Sequence, residues 1–143
     1  MSLDPKIWGP QYWFVFHTIA LNYPVKPNET SKKKYYDFIQ NIPLFIPIEN
    51  MGNLFNDLLD KYPVTPYLDS RESIIKWFHF IHNKMNVHLN IPEKTMQESL
   101  HNYYKNYEPV ERKLKEVIIK KQHYIFMIII IFLISISVNM YKR

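Results

Sequence analysis

The sequence predicts an all-α protein: a four-helix bundle with a short fifth helix, followed by a C-terminal transmembrane helix. Three observations carry that expectation. Apolar residues recur at helical spacing in four segments punctuated by prolines. No segment alternates apolar and polar residues for long, which argues against strands. The run from Tyr124 to Met140, YIFMIIIIFLISISVNM, carries no charge.

The first helix is expected from Pro10 to Leu21, with Trp13, Phe14, Phe16, His17 and Ala20 at helical spacing. The second covers 31–45, with Thr30 or Ser31 as its N-cap. There Tyr35, Phe38, Ile39 and Ile42 fall at i, i+3, i+4, i+7, and Pro43 should kink or end the helix. The third covers 48–61, with Met51, Leu54, Phe55, Leu58 and Leu59 on one face and Pro63 beyond its end. The fourth covers 71–89 after Ser70, with Ile74, Trp77, Phe78, Ile81, Met85 and Leu89 facing inward. Glu49 and Glu72 sit in first turns, where the helix dipole favours a carboxylate. A short fifth helix covers 95–106. Four amphipathic helices joined by short loops read as a bundle.

Residues 1–108 are thus the candidate folded domain. Residues 109–123 form a charged juxtamembrane segment, and 124–140 the membrane span. At about 1.5 Å per residue the apolar run is about 25 Å long, slightly short of a hydrocarbon core of about 30 Å. Tyr124 and Tyr141 can anchor at the interfaces, and the flanking Lys120, Lys121, Lys142 and Arg143 can snorkel outward. A buried helix of the folded domain is the alternative, but such helices are rarely apolar on every face. A signal peptide is excluded by position. The expectation is a single-pass protein anchored near its C-terminus.

Composition removes several functions. Two glycines exclude a P-loop or a G-x-G-x-x-G turn. Zero cysteines exclude a disulfide framework, a thiolate metal site and dithiol chemistry by this chain. The charge of +5 is modest and spread along the chain, which is no footprint for nucleic acid.

The polar residues on the helices are the candidates for chemistry. His17 lies among aromatics on the first helix. On the fourth, His79, His82 and Asn86 share a face by i+3 and i+4 steps, with Asn83 beside them and His88 further on. Ordinary hydrogen-bonded or exposed residues are one reading. A metal site is another, but no Glu-x-x-His or His-Glu-x-x-His pattern occurs, so no metal is expected. A planar cofactor is a third: Trp8, Trp13 and Trp77 supply apolar walls, and His and Asn supply directed hydrogen bonds. Composition alone does not choose among them.

Order along the chain does. The run Ile7-Trp8-Gly9-Pro10-Gln11-Tyr12-Trp13-Phe14-Val15-Phe16-His17 resembles the W-G-x-x-x-W-x-x-x-H opening of the FAD-linked sulfhydryl oxidases of the augmenter of liver regeneration type. The run Trp77-Phe78-His79-Phe80-Ile81-His82-Asn83-Lys84-Met85-Asn86-Val87-His88-Leu89 resembles their W-x-x-x-x-H-N-x-V-N-x-x-L signature, with Met85 in place of Val. About sixty residues separate the two, as in that family. The resemblance covers about residues 6 to 107, in a style like the versions carried by large DNA viruses.

The resemblance implies a compact bundle, often a homodimer, with FAD in its mouth. It sets Trp8, Gly9, Trp13 and His17 against the flavin, and His79, His82, Asn83, Asn86 and Leu89 around the adenosine and pyrophosphate. It implies oxidation of protein dithiols to disulfides, with electrons passed through FAD to oxygen, and a protein thiol or thioredoxin-like partner. One departure opposes activity in this chain. The family dithiol is C-x-x-C after a proline at the start of helix three, and here Ile48 and Met51 follow Pro47. Neither residue can supply a thiolate. Three functions follow: a thiol oxidase by family, a membrane-anchored FAD-binding pseudo-oxidase or interaction module, and a helical adaptor without cofactor.

Overall fold

The computed structural model describes residues 3–141. It divides into two compact units, Met1–Tyr103 and Tyr104–Arg143. The first unit carries α1 (Pro5–Leu21), α2 (Glu29–Asn41), α3 (Glu49–Lys61), α4 (Arg71–His88) and most of α5 (Met96–Tyr104). No strand occurs among the described residues, so the all-α expectation holds.

Helix α1 begins five residues before the expected start. Asp4 caps it, accepting from the Lys6 amide at 2.9 Å, and Pro5 takes the first helical position. Pro10, read from sequence as that first residue, instead sits inside the helix. The cap of α2 is Asn28 rather than Thr30 or Ser31. Its side chain accepts from the Ser31 amide at 2.8 Å. Pro43 ends α2 as expected, and Ile42–Phe45 tightens into a 3-10 turn.

That turn meets α3 at Gly52. A Cβ built on Gly52 would lie 2.8 Å from the Pro43 carbonyl oxygen, so the two backbones approach too closely for any side chain. Ser70 caps α4 through the Ser73 amide at 3.1 Å. Beyond α4, Asn90 adopts a left-handed φ of 56°. The Ile91 amide then reaches the Asn86 carbonyl at 2.8 Å, and the Asn90 amide the Val87 carbonyl at 3.1 Å. This paired closure is a Schellman motif, with asparagine where glycine is commonest. A reciprocal capping box opens α5. The Thr95 hydroxyl accepts from the Glu98 amide at 3.2 Å, and the Glu98 carboxylate from the Thr95 amide at 2.8 Å.

The core joins α1 through Phe16 and Ala20, α3 through Phe55, Leu58 and Leu59, and α4 through Ile74, Trp77, Phe78, Ile81 and Met85. Its buried polar atoms are tied to the backbone. The Trp77 indole donates to the Tyr62 carbonyl at 2.9 Å, and the Tyr23 hydroxyl to that of Leu68 at 2.7 Å. Leu89, expected inward, is 40% exposed because α4 closes just before it. Phe38, expected on the inner face of α2, is 39% exposed.

The second unit carries α6 (Val110–Tyr141), which runs without a break through the segment expected to be juxtamembrane and the apolar run. Leu114–Tyr141 is long and apolar enough to cross a membrane, by length and composition. Lys142 and Arg143, the expected flanking cations, lie outside the described residues.

Candidate functional site

Helices α1 and α4 bring three predicted residues together. Trp13 and His82 stack face to face, with ring centroids 4.0 Å apart and planes 8° from parallel. His17, one turn along α1 from Trp13, places Nε2 3.2 Å from His82 Nδ1. The wall continues behind Trp13, whose ring meets Phe16 edge-on at 5.6 Å and Phe55 of α3 at 6.3 Å. The i, i+4 spacing on α1 and the α1–α4 packing together create this stack.

Both imidazoles are held neutral. Burial, reinforced by His79 and Lys94 as positive charges, lowers His17 from 6.5 to about 4. Burial, then the charges of His17, Lys94 and His79, lowers His82 to about 3. A neutral pair suits the 3.2 Å contact, since one ring donates an N–H and the other accepts.

The next polar group lies along α4. The Asn83 side chain clamps the Lys94 backbone: its oxygen accepts from the Lys94 amide at 3.0 Å, and its amide donates to the Lys94 carbonyl at 2.8 Å. The same amide nitrogen lies 3.3 Å from His79 Nε2. His79 Nδ1 is buried with no hydrogen-bond partner among the described residues. Burial lowers the His79 pKa against the opposing effects of Glu93 and the Lys94 backbone. Asn86 is 5% exposed in the α1–α4 unit, and Leu89 stands exposed beyond the helix end.

Trp8 is half-buried near the start of α1. Its indole donates to the Leu3 carbonyl at 3.4 Å, and its ring meets Tyr12 edge-on at 5.1 Å. Gly9 faces open space, with no atom within 4 Å of a built Cβ. Ile48 is the N-cap of α3 and makes no side-chain cap bond. Met51 packs half-buried against the core, one turn before Phe55.

Sequence reasoning missed Lys94, whose main chain completes the Asn83 clamp and whose charge acts on both central histidines. Only a loop-forming Pro92 and an asparagine four residues after a histidine pointed that way. It also missed an apolar groove of about 310 Å³ on the opposite side of α1, where Tyr12, Val15, Ile19, Phe38 and Phe45 meet.

The donor set fits a planar, hydrogen-bonding group. A flat aromatic wall, neutral imidazoles and an unpaired buried ring nitrogen lie along one helix seam. Residues 10–108 match the model of the Erv1 / Alr family. The chain is 32% identical over 111 residues to a probable FAD-linked sulfhydryl oxidase of Acanthamoeba polyphaga mimivirus, covering 77% of this chain and 78% of that protein. It is 31% identical over 84 residues to the mitochondrial FAD-linked sulfhydryl oxidase erv1 of Schizosaccharomyces pombe, covering 59% of this chain and 46% of the yeast protein. Among solved structures, the yeast Erv1 core shares the fold with a TM-score of 0.65 at 22% identity, over 72% of this chain and 86% of that one.

Proposed function

We propose a function that starts from descent: this chain belongs to the Erv1/Alr family, whose family-level function is FAD-linked oxidation of protein thiols, and it keeps the flavin-binding half of that chemistry. The observation that carries the reading is the Trp13–His82 stack closed by His17, which supplies a flat wall and directed donors without any cysteine. FAD, when bound, supplies a two-electron acceptor that passes electrons on to oxygen. Trp8, Gly9, Trp13 and His17 are proposed to hold its ring system, and His79, His82, Asn83, Asn86 and Leu89 the adenosine and pyrophosphate. The neutral histidines offer an N–H and a lone pair without placing cations in a half-buried site. The unpaired Nδ1 of His79 and the open space at Gly9 support the same assignment.

The dithiol half of the chemistry is missing. Ile48 and Met51 stand at the start of α3, and no other residue of the chain is a cysteine. The chain therefore has no disulfide of its own for a substrate thiolate to attack, and no thiolate to pass the two electrons on to a flavin. This favours the second reading, an FAD-binding pseudo-oxidase. In that reading the domain, 1–108, keeps the flavin site and its surfaces for a protein thiol or thioredoxin-like partner. The apolar groove between α1 and α2 supports a homodimer. The unbroken apolar helix supports a single-pass anchor over 124–140, joined through the charged segment 109–123.

Titration of the purified chain with FAD tests the site. Absorbance near the flavin bands and quenched flavin fluorescence should report a stoichiometric complex. Asn86→Ala should weaken it by about 1–3 kcal/mol, by leaving polar cofactor atoms unpaired. A folded, colourless chain that takes up no FAD would refute the reading and leave the helical adaptor.

A further inference from the structure

We propose that the last turns of α6 before the apolar run form a collar that binds anionic lipid headgroups. The proposal rests on the anchor reading above and adds the chemistry of the membrane it selects. By sequence, 109–123 carries Arg112, Lys113, Lys115, Lys120 and Lys121 against Glu111 and Glu116. The helix does not break between these residues and the apolar run, so the span fixes their height over the bilayer.

Height decides which of them act. At about 1.5 Å per residue, Lys121 and Lys120 stand about 4 and 6 Å above Tyr124 along the axis. Lys115 stands about 13 Å and Arg112 about 18 Å above it. A Debye length of about 8 Å at physiological salt leaves the first two in the surface field and screens the others. The residues just before the lysine pair settle whether it stays in water. Val117, Ile118 and Ile119 are 62%, 55% and 51% exposed in α6. Apolar groups so placed gain by entering the interface, and the apolar run is itself about 5 Å short of a hydrocarbon core. Both effects draw the helix inward and bring Lys120 and Lys121 level with the phosphates. Their ammonium groups there meet phosphate and carboxylate oxygens of anionic lipid, worth about fivefold in association per lysine at low salt.

The test uses the full chain reconstituted in phosphatidylcholine vesicles with trace spin-labelled lipid. Resistance to alkaline extraction reports insertion separately. The expected result is severalfold preference of the motionally restricted lipid for phosphatidylserine over phosphatidylcholine at low salt. The preference should fall toward one at about 1 M salt, where the Debye length is about 3 Å. It should also fall in Lys120→Gln/Lys121→Gln, while Lys33→Gln/Lys34→Gln on α2 keeps it. Soluble glycerophosphoserine should not displace the lipid; displacement would mean a discrete small-anion site and overturn the proposal. An inserted chain with no preference, or one unchanged in the double lysine variant, overturns it while leaving the anchor intact. A chain extracted by alkali refutes the anchor reading and the collar with it.

Discussion

Acidification from pH 7 to pH 5 should destabilise the helical domain through His17 and His82. Unfolded histidine titrates near 6.5, whereas the folded pair titrates at about 4 and about 3. Above pH 6.5 both states are neutral and the pair contributes no pH dependence. Below it the unfolded chain takes up protons that the folded site refuses, so stability falls as pH falls. Each histidine costs about 1.4 kcal/mol per pH unit in that window. At pH 5 the pair would cost up to about 4 kcal/mol, a large share of a typical domain stability. The carboxylates with lowered pKa, Glu72 and Glu98, lose their contributions only at lower pH, as they protonate below about 4.5, so this window isolates the imidazoles. Urea unfolding of the full chain in mild detergent, followed by tryptophan fluorescence at pH 7 and pH 5, measures the change. A His17→Phe/His82→Leu variant should lose most of the slope. A wild-type stability that is flat or rising on acidification would show that the pair is not held neutral and that the site is wetter than its packing implies.

Other perturbations test the frame. Gly52→Ala should destabilise by about 1–3 kcal/mol, because its Cβ meets the Pro43 carbonyl at 2.8 Å and neither backbone is free to yield. Denaturation midpoints check this, and an unchanged midpoint would mean that the turn and α3 separate easily. Asn90→Val should cost about 1–2 kcal/mol by forcing a β-branched residue to positive φ, whereas Asn90→Gly should be neutral or stabilising. Thermal unfolding of both variants distinguishes them, and equal effects would contradict the left-handed cap.

The helical segments were legible because their apolar spacing is regular and prolines divide them. The start of α4 after Ser70 falls where the sequence put it, and Pro43 breaks the helix expected over 31–45, whose α-helical part ends at Asn41. The start of α1 did not, because two prolines competed for one role. Pro5 holds the first helical position behind Asp4, while Pro10 is absorbed within the helix. At the site, the i, i+4 and i+3 spacings placed Trp13 with His17 and His79 with His82 on their faces. Spacing could not reveal that Trp13 and His82 stack, because that contact depends on how α1 lies against α4. Nor could it assign Asn83 to the Lys94 backbone, since the partner is set by the course of a loop. Leu89 followed the helical pattern by one residue too many: the Schellman closure turns the chain before its side chain reaches the core.

The absence of a dithiol beside a flavin site is the central claim, and oxygen consumption tests it most directly. The FAD-loaded chain is compared with Ile48→Cys/Met51→Cys using dithiothreitol as the reductant. Positions 48 and 51 put both sulfurs on one turn at the start of α3, where the dipole favours a thiolate. The prediction is slow background consumption by the unmodified chain and dithiol-dependent turnover with peroxide production by the variant. Equal rates in the two proteins would contradict the cysteine argument. A folded, FAD-bound variant without turnover would contradict the assignment of Ile48 and Met51 to the dithiol positions.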